Sequence, residues 1–251
     1  MNNPQPYDAF VDKFRARHTS DDTFTPSNVY ESVLAWCERR YGIDRAKVLR
    51  PFFPGGDYAH AEYPDGCVVI DNPPFSIIAQ IVRFYLDRKI PFFIFAPSLT
   101  MLAHARHAGC SAVFCGQSLT FDNGAIVACG FLTSLEGADV LAVAAPDLFD
   151  ELDAVETVNR KIGKKKVTPL SLPDAILTGG RMNYLAVHHT LHTVRRADAT
   201  FVRKCDNYPG GIFGGGFLLS ERAAAERAAA IKVELSARER EIVKGLGKGN
   251  A

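Results

Sequence analysis

The stretch that most narrows what this chain can fold into runs from Val68 to Ala96. It opens with the apolar run "VVI", which passes straight into Asp71-Asn72-Pro73-Pro74-Phe75. Proline lacks an N–H and pushes the residue before it toward extended geometry, so the pair ends a strand. The segment after it, "SIIAQIVRFYL", carries Ile77, Ile78, Ile81, Val82, Tyr85 and Leu86. That is the stripe of a helix packed on a sheet, with Ser76 expected as its cap. Ile90–Ala96 is then almost continuously apolar, as a strand covered on both faces requires. Strand, rigid loop, helix and strand in succession predict an open α/β sheet. Ligands bind such sheets at the carboxyl ends of the strands.

The loop itself suits a ligand. Prolines fix the backbone, so the Asn72 amide oxygen and nearby carbonyls are positioned before binding. Two acceptors aimed at one point suit a planar amine with two N–H donors, and Phe75 offers a face for a flat heterocycle. A flipped-out adenine has both features. The plainer reading of "NPP" is a strand terminator.

Asn72-Pro73-Pro74-Phe75 resembles the Asp/Asn-Pro-Pro-Tyr/Phe motif of amino-group methyltransferases that use S-adenosylmethionine, best known among adenine-specific DNA methyltransferases. The motif also occurs in enzymes that methylate RNA bases and protein glutamine amides. The resemblance implies that Asn72 and the Pro73 carbonyl hold the target amine while Phe75 stacks on the base. Pro74 and Asp71 complete the implied catalytic set, and Asp71 also stands with the cofactor residues.

Further segments extend the resemblance. Thr25-Pro26 precedes a helix with Val29, Val33, Leu34 and Trp36 on its apolar side. It reads either as a plain helix start with proline where its missing N–H costs least, or as the "TP" segment beside the methionine end of the cofactor. Ala46–Leu49 is expected as a short buried strand, ending in Pro51-Phe52-Phe53-Pro54-Gly55-Gly56-Asp57. This is similar to the cofactor loop of the family, with two departures. Arg50 stands where an acid is usual, and "PGG" replaces Gly-x-Gly; Asp57 is the candidate replacement carboxylate. The alternative is a glycine-rich turn.

Only about twenty residues separate Pro51 from Asp71, whereas two further crossover units need about sixty. The strand whose terminal acid grips the ribose is therefore missing from its expected place. Glu62 and Asp65 are the only acids in the gap, and Asp65-Gly66 reads as a turn. "SAVFCG", the turn "TFDNG" and "AIVACGFLTSL" predict an antiparallel hairpin. In the EcoRI-type branch of the adenine enzymes a similar hairpin ends in an aromatic-x-Thr-Asn-Leu phrase, which Phe131-Leu132-Thr133-Ser134-Leu135 resembles. That branch also has a short gap before the catalytic loop.

The expected fold is thus α/β: a class I methyltransferase-like (Rossmann-like) three-layer sandwich with a truncated sheet. The chain divides into an N-terminal arm (1–24), the core (25–150) and a C-terminal recognition region (151–251). In the last of these, Arg160, Lys161, Lys164, Lys165 and Lys166 form a basic loop. It is either solvated or a set of phosphate contacts for DNA, the partner that the resemblance implies. "HHTLHTVRR" reads as a helix with His188 and His192 on one face, a spacing that can bind zinc. No acid or thiol completes the shell, and no metal is expected. "KCDNYPGGIFGGGFLLSE" reads as a tight loop against the core or a cofactor lid, and Ser220 as the cap of a charged helix.

Composition adds little more. The 251 residues are 47% hydrophobic and 23% charged with net charge +1, so any basic nucleic-acid surface must be local. The six cysteines show no C-x-x-C spacing, as expected of free thiols in a reducing compartment. The polar start "MNNPQPYDAF" lacks a leader pattern and no apolar run is long enough to span a membrane, so a cytoplasmic protein is expected.

Overall fold

A computed structural model of the chain describes residues 25–52, 57–122, 124–159, 172–205, 211–230 and 236–245. The α/β expectation holds: a mixed sheet lies at the centre with helices on both faces.

Helix α1 (Ser27–Tyr41) buries Val29, Val33, Leu34, Trp36 and Cys37, the stripe that its sequence spacing dictates, and ends at Gly42 in the left-handed region. Residues 45–47 form a 3-10 turn in place of the expected strand start, because Asp44 Oδ1 accepts the Ala46 N–H. Strand β1 is therefore only Val48–Leu49, and half-buried. After the Pro64–Cys67 turn, in which Gly66 takes positive φ, comes β2 (Val68–Asp71), buried throughout.

Helix α2 (Ile78–Asp87) starts later than its periodicity suggests. A 3-10 turn over Phe75–Ile77 precedes it, so Ser76 lies within that turn and is not the cap. Strand β3 (Phe92–Pro97), the five-residue helix α3 (Met101–Ala105) and β4 (Ser111–Phe114) follow. Strands β5 (Ser118–Thr120) and β6 (Ile126–Thr133) form a hairpin, and β6 continues past β5 to pair with β4. Next come β7 (Val140–Ala144), α4 (Pro146–Asn159), β8 (Ile176–Leu177), α5 (Gly179–Val187) and β9 (His192–Arg195). The described chain closes with β10 (Ala199–Lys204), β11 (Gly211–Leu219), α6 (Glu221–Ala229) and α7 (Ala237–Gly245).

The main sheet has the order β1-β2-β3-β6-β4-β7-β9. Strands β1, β2, β3, β4 and β7 run one way, with β6 inserted against them and β9 antiparallel at the far edge. Alternation along β3 builds the two cores. Phe92, Ile94 and Ala96 pack with Ile81, Val82, Tyr85, Met101 and Leu185, while Phe93 and Phe95 face Val33, Trp36, Leu148 and Leu152.

The chain beyond residue 150 shares this core. Strand β9 extends the main sheet, and β10-β11-β8 form a second sheet whose Phe217 and Leu177 lie in the same cluster as Ile81 and Phe92. "HHTLHTVRR" is not a helix: α5 stops at Val187, His189 takes positive φ, and His192 begins β9. The two histidines therefore do not share a helix face. "GIFGGGFLL" is strand β11 instead of a loop, because β10 and β8 flank its Gly216–Leu219 half and pair with it. Ser220 does cap α6, accepting the Ala223 N–H at 3.2 Å. No helix among the described residues is long and apolar enough to cross a membrane.

Candidate functional site at the carboxyl ends of the first strands

Because β1 and β2 are parallel neighbours, the loops that leave them emerge side by side. Asp71, the last residue of β2, joins them. Its Oδ2 accepts the Phe52 N–H at 2.7 Å, and its Oδ1 accepts the Asn72 N–H at 2.9 Å and the Arg50 Nε at 3.4 Å. The residue is 2% exposed. Burial raises its pKa above the ordinary carboxylate value, and those donors hold the rise back.

Arg50 is fixed from its other side. Its guanidinium carbon lies 3.7 Å from the centroid of the Tyr30 ring, and the Tyr30 hydroxyl donates to the Ile70 carbonyl at 3.0 Å. One residue each from α1, the end of β1 and the end of β2 thus forms a single stack. Tyr30 is buried and its phenol pKa is driven up, so it remains a neutral donor.

The sequence-predicted catalytic residues share this edge. Asn72 is half-buried, Pro73 buried, and Pro74 and Phe75 half-buried. The Phe75 ring packs against both hydrophobic clusters, and the Pro74 carbonyl accepts the Ile77 N–H. On the α1 side, the Pro26 carbonyl accepts the Tyr30 N–H. The Thr25 hydroxyl is buried with no partner among the described residues.

Of the loop after β1, Pro51 is buried, and Phe52 stacks at 5.4 Å from Tyr58. Asp57 is exposed and engaged locally: it accepts the Ala59 N–H and pairs with His60 Nδ1 at 2.7 Å, which lowers its pKa. Phe53, Pro54, Gly55 and Gly56 lie outside the described residues. So do Arg160, Lys161, Lys164, Lys165 and Lys166.

Two features escape sequence reasoning. Phe52, Tyr58, Tyr63, Phe84 and Tyr85 form an aromatic group that joins the described part of the β1–β2 connection to α2. Their spacing shows no period, and only their density in the segment hints at it. Beyond β3, Asn183 Nδ2 donates to Ser98 Oγ at 3.1 Å, and Asn183 Oδ1 accepts the Gly116 N–H at 3.2 Å. Those residues lie far apart in sequence and show no motif. Among the described residues no group of three or more His, Cys, Asp or Glu is placed to hold a metal ion.

The arrangement sets a half-buried amide, a buried proline and an aromatic ring at the carboxyl end of β2, where α/β proteins take ligands. No protein-family model, curated protein or solved structure matches the chain.

Proposed function

We propose that this chain transfers a methyl group from S-adenosylmethionine to the exocyclic amine of adenine in DNA. The observation that carries the reading is the Asp71 junction. It holds the Arg50–Phe52 segment and the Asn72–Phe75 segment together at the carboxyl ends of adjacent parallel strands.

The described residues that would meet the cofactor are Thr25, whose buried hydroxyl has no partner among the described residues, with Pro51 and Phe52 at the start of the loop after β1. Asp71 accepts three hydrogen bonds, from Phe52, Asn72 and Arg50, and its Oδ2, which takes only the Phe52 N–H, keeps an acceptor position that a cofactor ammonium could use. Through the three bonds it positions the two loops. When bound, the cofactor supplies an electrophilic methyl group. Asn72 and the Pro73 carbonyl accept the hydrogens of the amine and concentrate its lone pair on nitrogen. Phe75 offers its ring to the base, and the fixed prolines hold the acceptors in place before the substrate arrives.

Methyl-labelled S-adenosylmethionine, offered with DNA, RNA and protein mixtures, tests the reading. Label recovered on adenine in DNA is the expected result, and no label on any acceptor removes it. A second reading, nucleic-acid or nucleotide binding without transfer, is favoured by Arg50 locked onto Asp71 where the family has an acid. Calorimetric titration with S-adenosylmethionine separates the two, since only the first requires heat of cofactor binding.

A further inference from the structure

The pairing of β10 with β11 breaks in one place. Val202 faces Gly216 and Lys204 faces Gly211, so the single residue Arg203 stands opposite the four residues Ile212–Gly215. This wide bulge carries Phe213, which is 77% exposed. A large apolar ring held out in water gains nothing from folding.

The bulge is nevertheless pinned. Gly214 and Gly215 both take positive φ, and a Cβ on Gly214 would lie 1.8 Å from the Leu99 carbonyl oxygen. Leu99 itself is 48% exposed and lies two residues beyond the carboxyl end of β3, the neighbour of β2, whose carboxyl end leads into Asn72. The bulge therefore sits at the same end of the molecule as the Asn72 loop.

Behind it lies a cleft of about 330 Å³ lined by Ala103, Phe201, Arg203, Ile212, Gly214 and Gly215. The Arg106 guanidinium lies 5.4 Å from the Phe201 ring centroid. Arg106 and Arg203 are exposed, and neither forms an ion pair among the described residues. Two neighbouring histidines, His104 in α3 and His107 just beyond it, sense the same sign of charge. Burial lowers the pKa of His104 and His107; His107, Arg106 and Arg83 lower His104 further, and Arg106 and Arg83 lower His107 further. A local cationic field beside an exposed ring is complementary to a polyanion with flat, apolar side groups.

We propose that the β10–β11 bulge and its cleft hold one unpaired strand of DNA. A base stacks on Phe213, and the phosphates lie on Arg106 and Arg203. The cleft offers few groups to a base edge, so the binding is tolerant of sequence. This deepens the methyl-transfer reading and rests on it for the choice of DNA as the polyanion.

The test is fluorescence anisotropy with a labelled mixed-sequence single-stranded DNA, for the full chain and three variants: Phe213→Ala, Arg106→Ala/Arg203→Ala and Asn72→Ala. Circular dichroism and thermal unfolding check that each is folded; the altered side chains of the first two variants are exposed. Phe213→Ala should weaken binding about tenfold, the scale of one stacked base. The double arginine variant should flatten the slope of log affinity against log salt by about 1.4, at about 0.7 for each phosphate no longer neutralised. Unchanged affinity and slope in both variants overturn the proposal, while methyl incorporation by the same variants still reports on the catalytic reading. Conversely, weakened binding in both, with no methyl transfer by the full chain, upholds the cleft and removes the catalytic reading. Tighter binding of RNA of the same sequence, or of deoxyadenosine monophosphate alone as tightly as the strand, also overturns it.

Discussion

Arg50 lies over the ring of Tyr30 and reaches Asp71 with its Nε, so the first helix and the first two strands meet at one cation. Asp71→Asn keeps one acceptor oxygen and turns an NH2 group toward donors that are then left without an acceptor. It should cost about 1–3 kcal/mol, the scale of leaving a buried donor unsatisfied. Urea unfolding at neutral pH measures this; a midpoint within error of the parent's would show that the junction does not hold the loops.

The same pair of proteins gives a pH dependence. Asp71 titrates above its unfolded value, mainly through burial, so the native state binds its proton more tightly than the unfolded chain does. The stability from this proton is fully present below an unfolded value of about 3.9 and is lost as pH rises through the raised folded value. The stability gap between the parent and Asp71→Asn should therefore narrow from acid toward neutral pH. A gap that widens would mean that the hydrogen bonds outweigh the desolvation.

Asn72→Ala removes the side-chain acceptor and leaves both prolines. On the proposed reading, turnover should fall about a hundredfold or more, as when one hydrogen bond made at the reacting centre is removed. Cofactor affinity should change little. Single-turnover methyl incorporation beside calorimetry checks the split, and near-parental turnover would remove Asn72 from the chemistry.

Trp36, the one tryptophan of the chain, is 2% exposed and donates from Nε1 to Asp147 Oδ2 at 2.8 Å, tying α1 to α4. Its emission should resist iodide quenching in the native protein and shift to the red on unfolding. Asp147→Ala should lower stability by about 1–3 kcal/mol, since the indole N–H then lacks its partner. Ready quenching in the parent would contradict the burial.

The thiols should divide sharply. Cys37, Cys67, Cys110, Cys115 and Cys129 are buried, and burial raises Cys110 to about 12 and Cys115 to about 11. Cys205 is only partly covered. A thiol reagent at mildly alkaline pH should modify Cys205 in the folded protein and the other five only in denaturant. Peptide mapping of the labelled sites decides it.

What could be read from the sequence follows from local signals. The strand at Val68, the proline exit, the α2 stripe and the continuous apolar run of β3 each carry their period within a few residues. The hairpin is announced by its Asp-Asn-Gly turn. The β1 end of the site is harder to read, since Asp44 draws the residues expected to start the strand into a turn. The His188–His192 segment misleads because α5 ends without a glycine: His189 itself takes positive φ. Strand β11 is hidden because its glycines lower strand propensity, and only its pairing with β8 and β10 makes it a strand. The junction at Asp71 depends on Tyr30, Arg50 and Phe52 converging from separate elements, and no spacing rule encodes that.

The last strand to join the main sheet has a consequence for how the protein is made. Strand β7 needs β9 along its outer side, and β9 is fastened there by the Arg196 N–H on the Asp139 carbonyl. During synthesis β7 leaves the ribosome well before β9. At about 5–20 residues per second the intervening chain takes about 2–10 s to appear. For that interval the nascent protein displays an open apolar strand edge, the kind that templates pairing with other chains. Slower delivery of residues 145–195 is therefore expected to lower the yield of native protein, and a chain stopped within them is expected in the insoluble fraction.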